Sequence, residues 1–254
     1  MKSNALRQIA VIVAVIATIT VNALANVLPL NGLNTGEISD RFNVYFVPAG
    51  YVFSIWGVIY LALIAFAIYQ ALPAQKVSRS LQGIGWFFVA SSAANIIWLF
   101  LWHYEQFVWT ILAMLVLLLS LIVIYERLWP FRKTAQRSHF WLVQIPFSIY
   151  LGWITVATIA NATSLLDYIG WGGWGISDAT WAVVMLVIAT ILGAAVILRR
   201  RDPAYGLVLV WAFVGIAIKQ SGTALVAPAA WVTGSLLLIL SLYLLFQPGL
   251  GQKA

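Results

Sequence analysis

The sequence predicts an all-α fold, a polytopic membrane protein built as a helical bundle. Hydrophobic residues fill 63% of the 254 positions, charged residues fill only 8%, and the mean hydropathy is +0.97. A soluble domain carries charge on roughly a quarter of its residues. The apolar residues also form runs close to the length of about 20 residues that a membrane-spanning helix needs. A membrane β-barrel would show long alternation of polar and apolar residues, and the sequence does not contain this pattern.

Charged residues and helix breakers delimit eight predicted spans in the sequence. These spans are residues 7–28, 51–72, 84–102, 108–125, 140–161, 179–198, 204–219 and 223–246. The seventh span is the least secure, because it is short and only Lys219-Gln-Ser-Gly222 separates it from the eighth. A count of seven spans is therefore the nearest alternative.

The first span begins like a signal peptide, with basic residues, an apolar run and Ala23-Leu24-Ala25. However, its apolar run continues to Leu28, beyond the usual signal-peptide core of about 7–15 residues. We therefore expect this span to be retained as a transmembrane helix.

The distribution of charge tests the count of spans. If the spans alternate in direction, all of the 14 Lys and Arg residues except Arg41 and Lys219 fall on one side of the membrane, with Arg7 counted among the residues before the first span. Most acidic residues fall on the other side, namely Glu37, Asp40, Glu105, Asp167 and Asp178. Because cytoplasmic loops are rich in Lys and Arg, both termini are predicted to be cytoplasmic and the number of spans to be even. The net charge of +7 is explained by this asymmetry, and no nucleic-acid partner is expected.

Several aromatic residues lie too deep in their spans to belong to the belt of rings at the membrane surface. Helical spacing places these rings, together with small and amide residues, on one face each of the second, third and fifth spans. The three faces comprise Phe53, Trp56 and Tyr60; Ser91, Asn95, Trp98 and Trp102; and Tyr150, Trp153, Ala157 and Asn161.

Two interpretations of these faces remain open from the residues alone. In the first, the rings pack helix against helix, and Asn95 and Asn161 form hydrogen bonds between helices. In the second, the faces line an aromatic pocket with a few amide donors, which would suit a planar apolar ligand. A buried indole N–H needs a hydrogen-bond acceptor in either case.

The motifs on these faces resemble the TspO/translocator-protein family, also called tryptophan-rich sensory proteins. Pro48-Ala-Gly50-Tyr-Val-Phe53 leads into Trp56-Gly-Val-Ile-Tyr60, and Asn95-Ile-Ile-Trp98 follows in the third span. The pattern of the family's fifth helix is present in full as Tyr150, Trp153, Ala157, Thr158 and Asn161. The resemblance covers about residues 7–165, in the family's order of five helices.

The resemblance implies a five-helix core over residues 1–165, which makes 166–254 three additional transmembrane helices. It implies a receptor or carrier in the cell membrane, in a bacterium the inner membrane, that binds a planar hydrophobic molecule for sensing or transport. The ligand would be a tetrapyrrole, with porphyrin or haem as candidates, or a sterol-like molecule, and no cofactor is required. The family commonly forms dimers, so a homodimer is the expected assembly. The ligand-binding residues that the resemblance implies are Phe53, Trp56, Tyr60, Asn95, Trp98, Trp102, Tyr150, Trp153, Ala157 and Asn161.

The chain departs from the family's pattern at three places. Tyr51 replaces the first tryptophan of the second helix, and Pro146 lies one turn earlier than the usual proline of the fifth. The spacing from Phe53 to Trp56 is one residue shorter than usual, which rotates the later ring by about 100° on a helix. This rotation predicts that Trp56 contributes less to ligand binding than the other tryptophans.

Two other classes of function are alternatives. In a small-solute permease, the last three spans would complete a translocation path. A porphyrin-degrading enzyme is less favoured, because the chain has no cysteine and only two histidines, His103 and His139, on opposite sides of the predicted membrane. His103 follows Trp102 and is a candidate axial ligand for an iron porphyrin, although an ordinary interfacial histidine is the simpler interpretation.

Overall fold

The computed structural model describes residues 2–28, 30–132 and 136–247. All the regular structure of these residues is helical, which confirms the predicted all-α class. Lys133 and Lys253, which are part of the predicted charge pattern, lie outside the described residues.

Ten α-helical segments are present in the described part of the chain. They are α1 (Lys2–Val27), α2 (Thr35–Asp40), α3 (Ile55–Ala71), α4 (Arg79–His103), α5 (Phe107–Leu128), α6 (Arg137–His139), α7 (Ile145–Tyr168), α8 (Asp178–Arg200), α9 (Pro203–Lys219) and α10 (Val226–Leu245). Each of the eight predicted spans corresponds to a helix, although a 3₁₀ segment, Gly50–Ser54, forms the start of the second span. The polytopic helical bundle is therefore confirmed.

The helices differ in whether they are long enough to cross a bilayer. Within the described residues, seven helical stretches are long and apolar enough to do so. The remaining apolar helix, α9, has 17 residues. At 1.5 Å per residue it is roughly 25 Å long, somewhat less than a hydrocarbon core of about 30 Å. The structure thus supports seven spans by length. An eighth span is present only if α9 crosses the membrane.

The chain forms two compact units. Unit 1 comprises residues 1–41 and 54–154, and unit 2 comprises residues 42–53 and 155–254. The division therefore falls inside α7, and the segment before α3 belongs to unit 2.

Unit 1 is organised around α4, which packs along α1 and α5, while α1 also packs on α3. Phe66, Phe88 and Phe147 form its aromatic centre, with ring centroids 4.9 to 5.8 Å apart. We call the end of unit 1 where α1 and α4 begin the basic end, and the end where they finish the acidic end.

A short helix closes the acidic end of unit 1. Asn34 caps α2 by accepting hydrogen bonds from the backbone N–H groups of Gly36 and Glu37, and the Glu37 carboxylate accepts one from the Asn34 N–H. This reciprocal pair is the capping box that starts a helix. It holds α2 against the end of α4, where the Trp102 indole N–H donates to the Thr35 carbonyl.

The helix of the fifth predicted span is wider than an α-helix near its start. A π-helical turn over Phe140–Gln144 joins α6 to α7, and Pro146 follows directly. Because proline has no N–H and its ring clashes with the carbonyl four residues earlier, α-helical hydrogen bonding is broken just before it. The sequence therefore places the π-turn at this position.

Unit 2 is built around α9, which packs on α8 and α10. A tight link joins α8 to α9: Arg201 adopts a left-handed backbone conformation, and the Asp202 side chain accepts the N–H of Tyr205. The segment Phe42–Phe53 lies on α9, with the Ala49 N–H donating to the Gly215 carbonyl at 3.1 Å. The Trp211 indole N–H donates to the Val52 carbonyl at 3.0 Å.

Candidate ligand-binding site

Four rings from α3 and α7 meet in unit 1 and form what we call the ring cluster. Trp56 stacks on Tyr60, with ring centroids 5.4 Å apart and an interplanar angle of 25°. The same Trp56 ring meets Tyr150 at 5.9 Å and Trp153 at 6.2 Å, both edge to face. Stacked and edge-to-face pairs at these distances are favourable arrangements of aromatic rings.

The four rings differ in accessibility. Tyr150 and Trp153 are buried, at 1% and 3% exposure. Trp56 and Tyr60 are only half-buried. The cluster therefore consists of two buried rings on α7 and a partly accessible stacked pair on α3. A flat ligand would reach the stacked pair first.

Asn95 joins helices as the packing interpretation expects. Its side-chain carbonyl accepts a hydrogen bond of 2.9 Å from the Asn22 amide of α1. The Tyr150 hydroxyl lies near the Asn95 side chain. That hydroxyl meets no group of the described residues with hydrogen-bond geometry. The Tyr150 hydroxyl, next to the Asn95 side chain, is therefore the buried polar group at the edge of the cluster.

Trp98 and Trp102 form a second aromatic pair on α4. Their rings stack at 5.4 Å with an interplanar angle of 19°, and Trp102 also meets Phe107 edge to face at 5.2 Å. Trp102 is buried, whereas Trp98 is half-buried. The predicted spacing of α4 therefore brings these two rings together as expected.

His103 does not suit the role of an axial haem ligand. Its ring is 1% exposed, its Nδ1 lies 3.1 Å from the Leu30 carbonyl oxygen, and its Nε2 lies 3.1 Å from the Thr35 hydroxyl. A carbonyl only accepts, so Nδ1 carries a proton and donates to it. Because both nitrogens are engaged, His103 holds the segment before α2 in place.

The structure does not gather all ten predicted residues in one unit. Phe53, Ala157 and Asn161 belong to unit 2. The prediction that Phe53, Trp56 and Tyr60 share one α-helix is wrong, because α3 begins at Ile55 and Phe53 lies in the 3₁₀ segment before it. Asn161 is buried, and Phe53 and Ala157 are half-buried.

The sequence prediction that Trp56 contributes less to ligand binding than the other tryptophans stays a prediction, although the structure places its ring among the others. The one-residue shift was read on a continuous α-helix, but the chain before Ile55 follows the tighter 3₁₀ path. Trp56 is the ring that contacts all three other members of the cluster.

Two important polar residues were missed or misplaced by sequence reasoning. Arg7 was assigned to the loop before the first span, yet α1 begins at Lys2 and Arg7 is 3% exposed. Asn22, the partner of Asn95, was not singled out. A signal existed for both, since each is a polar residue within or at the edge of an apolar span.

The ring cluster offers aromatic faces and two phenol hydroxyls, and the Asn95 side chain lies beside it. Within the described residues, no three His, Asp or Glu side chains come together as a metal site. Such a set of groups can stack on a flat molecule and donate a small number of hydrogen bonds to it.

Comparison with known proteins bears on the same residues. The model of a family described as TSPO-like protein matches residues 8–243. The match includes both aromatic pairs, and it also includes α8, α9 and most of α10, which follow the five-helix part. No curated protein and no solved structure matches the chain.

Proposed function

Since the chain belongs to the TSPO-like protein family, we propose that this membrane protein is a receptor or carrier for a planar hydrophobic ligand, a tetrapyrrole in the first instance. The ligand binds at the ring cluster for sensing or transport. The proposal includes no catalytic step, because the cluster's groups are rings, hydroxyls and an amide.

The observation that carries the proposal is the half-buried Trp56–Tyr60 stack over the buried rings of Tyr150 and Trp153. A flat ligand gains by stacking on an accessible ring whose orientation is fixed by buried neighbours, because little side-chain freedom is then lost on binding. The Tyr150 hydroxyl, which lacks a partner among the described residues, would bond to a polar edge of the ligand.

The residues of unit 1 fit a metal-free tetrapyrrole better than haem. The histidine at the acidic end, His103, already uses both ring nitrogens. The other histidine, His139, lies at the basic end, where its Nε2 contacts Ser80 at 2.8 Å. Stacking therefore supplies the affinity in this proposal, and iron coordination does not.

We further propose that the protein resides in a bacterial inner membrane with both termini in the cytoplasm. The support is the concentration of Lys and Arg on one side of the alternating spans. The positive charges of short loops stay on the cytoplasmic side during insertion.

The test is a titration of the purified protein with metal-free protoporphyrin, followed by the absorbance of the porphyrin. We expect Trp56→Phe and Trp153→Phe each to weaken binding by about 1–2 kcal/mol, or roughly 5- to 30-fold in Kd. Both substitutions keep a ring, so the melting temperature should change little. Trp109→Phe is the matched control, because Trp109 is 57% exposed on α5 and lies outside the cluster.

Binding must be compared with melting for the same variants. If Trp56→Phe and Trp153→Phe lower the melting temperature but leave the affinity equal to that of Trp109→Phe, the rings serve packing and the proposal fails. Solute flux in vesicles without porphyrin binding would instead identify the permease alternative.

A further inference from the structure

The part of the chain that leads into α3, Phe42–Phe53, is here called the entry segment. Four of its backbone groups form hydrogen bonds of 3.0 to 3.3 Å with other residues of unit 2. The pairs, with the donor first, are the Asn43 N–H and the Asp167 carboxylate, the Gln220 side-chain amide and the Tyr45 carbonyl, the Ala49 N–H and the Gly215 carbonyl, and the Trp211 indole N–H and the Val52 carbonyl. The entry segment is therefore attached along its length, mainly to α9 and the residue that caps it.

Apolar side chains of the entry segment are buried against the same helix. Phe46 and Val52 are 1% and 0% exposed. The Phe46 ring meets the ring of Phe213 on α9 edge to face, with the centroids 6.4 Å apart. A Cβ atom at Gly215 would overlap the Val52 side chain and would lie 3.1 Å from the Cβ atom of Pro48. The backbone of α9 and the entry segment thus approach as closely as only a glycine permits.

The start of α3 receives no side-chain cap. Ser54 occupies the N-cap position, but its side chain accepts no hydrogen bond from the first turn. The short helix α2, in contrast, begins with a complete capping box. An N-cap side chain helps to fix the first turn of a helix, because it accepts from N–H groups that have no partner within the helix. The first turn of α3 lacks this local restraint.

The entry segment continues into α3 as one helical path. The 3₁₀ segment Gly50–Ser54 is followed at once by α3, in which Trp56 is the second residue. From Val52 to Trp56 such a path rises only about 6–8 Å. Because hydrogen-bonded helical turns are stiff, a shift of the Val52 backbone carries the Trp56 backbone with it.

We propose, on the basis of the function proposed above, that α9 positions Trp56 for ligand binding, with Trp211 as the main positioning residue. The Trp211 indole holds the Val52 carbonyl, and its ring meets the Tyr51 ring edge to face at 5.4 Å. Trp56 in turn contacts each of the other three rings of the ring cluster. This role gives α9, which follows the five-helix part of the chain, a part in ligand recognition.

The first experiment observes Trp56 without any ligand. The full chain is labelled with fluorinated tryptophan, and the fluorine NMR resonances of Trp56 and Trp98 are assigned by their loss in Trp56→Phe and Trp98→Phe. Trp211→Phe keeps a ring beside Tyr51 but removes the donor to the Val52 carbonyl. We expect this variant to shift the Trp56 resonance by more than its linewidth and to leave the Trp98 resonance, from α4, in place.

Two further variants make this measurement specific. Trp231→Phe is the matched control, because Trp231 is a half-exposed tryptophan on the neighbouring α10, and it should leave both resonances in place. Gln220→Leu removes the donor to the Tyr45 carbonyl. It should shift the Trp56 resonance by less than Trp211→Phe does, because Tyr45 lies farther from Trp56 along the chain. If Trp211→Phe does not fold, Gln220→Leu takes its place in both experiments.

The second experiment titrates the same variants with metal-free protoporphyrin. We expect Trp211→Phe to weaken binding about threefold to tenfold, the range for the loss of one hydrogen bond. Trp231→Phe should retain the affinity of the wild type. If the wild type binds porphyrin and Trp211→Phe binds it equally well, α9 has no role in ligand binding and the proposal is overturned.

The ligand-free measurement can overturn the proposal by itself. A Trp56 resonance that stays in place in both Trp211→Phe and Gln220→Leu would mean that α9 holds the entry segment without positioning the ring. A Trp98 resonance that shifts as much as that of Trp56 would indicate a general loosening of unit 1, which also contradicts the proposal. A wild type that binds no porphyrin would count against the proposed function, whereas the fluorine resonances would still decide whether α9 positions Trp56.

Discussion

The two compact units bury different kinds of side chain where their helices meet. In unit 1 the contacts between helices are made by rings and polar groups, such as the Asn22–Asn95 pair and the ring cluster. In unit 2 several of them are made by aliphatic side chains packed against glycines. A Cβ atom at Gly193 would lie 2.8 Å from a Leu209 methyl group, and one at Gly206 would lie 2.5 Å from the Cδ1 atom of Ile197.

This difference is consistent with the proposal that unit 1 recognises the ligand. Small residues let membrane helices approach closely and gain van der Waals contact, which stabilises without selecting a ligand. Buried polar groups and half-buried rings are less favourable in an empty bundle and become favourable when a complementary molecule is bound. The proposed ligand site, the ring cluster, lies in unit 1.

The prediction with the largest effect on the description of unit 2 concerns whether α9 crosses the membrane. Fusions of a topology reporter after Gln75 and Asp202 should report cytoplasm, whereas fusions after Leu166 and Ser221 should not. The reason is that most Lys and Arg residues lie on the same side of the membrane as Gln75 and Asp202. The short α9 can still cross, since it is largely buried by its neighbours in unit 2. Cytoplasmic signals at both Asp202 and Ser221 would show that α9 does not cross and would favour seven spans.

The next largest effect tests packing in unit 2. Gly215→Ala should destabilise the protein by about 1–3 kcal/mol, because the new methyl group would clash with Val52, whose segment is hydrogen-bonded to Gly215 and Trp211. Thermal unfolding in detergent is the measurement. Gly57→Ala on α3 is the control, since nothing lies within 4 Å of its added Cβ. Alanine there should stabilise the helix by up to about 1 kcal/mol. Equal melting of the two variants would refute close packing at Gly215.

The sequence predicted the positions of the helices well but the contacts between them poorly. Apolar length and charge locate all eight predicted helices, because a membrane helix must satisfy these conditions locally. Periodicity also predicts which residues share a face, as Trp98 and Trp102 on α4 do. The 3₁₀ path before Ile55 was not predictable, because it depends on hydrogen bonds from Ala49 and Trp211, which are far apart in sequence.

The direction of the Arg7 side chain was not predictable for a related reason. A basic residue near the start of a span is most often an orientation signal in a loop. Only the contact with Gly85 of α4 shows that its side chain is directed inward. The candidate ligand site was likewise predicted as a set of faces, and the structure was needed to show that Trp56, Tyr150 and Trp153 meet.

A smaller loss of stability is predicted for substitutions that remove the polar contact between α1 and α4 in unit 1. Asn95→Leu should destabilise the ligand-free protein by about 1–2 kcal/mol, because the Asn22 amide loses its acceptor on α4. Asn22→Leu should have a similar effect, and the double variant should be more stable than the sum of the two predicts. Additive losses in thermal unfolding would show that the two amides do not act as a pair.

The smallest effect concerns how the α2 segment is attached at the acidic end of unit 1. The exposed Arg41 forms an ion pair with Glu105, and this hydrogen bond and charge raise the pKa of Arg41. Exposed ion pairs contribute little and are screened by salt, since the Debye length falls to about 3 Å at 1 M. Glu105→Gln should therefore lower the melting temperature slightly at low salt and not at all at 1 M.

The partly buried bonds of the same segment provide the control. Thr35→Val removes the hydroxyl that contacts His103 Nε2 at 3.1 Å, and His103 is 1% exposed. The loss should be larger than that of Glu105→Gln and less sensitive to salt, because ions screen a partly buried contact less than an exposed ion pair. A loss for Thr35→Val that is equally sensitive to salt, or a larger loss for Glu105→Gln, would mean that surface charge holds this segment and that the polar contacts inside unit 1 do not.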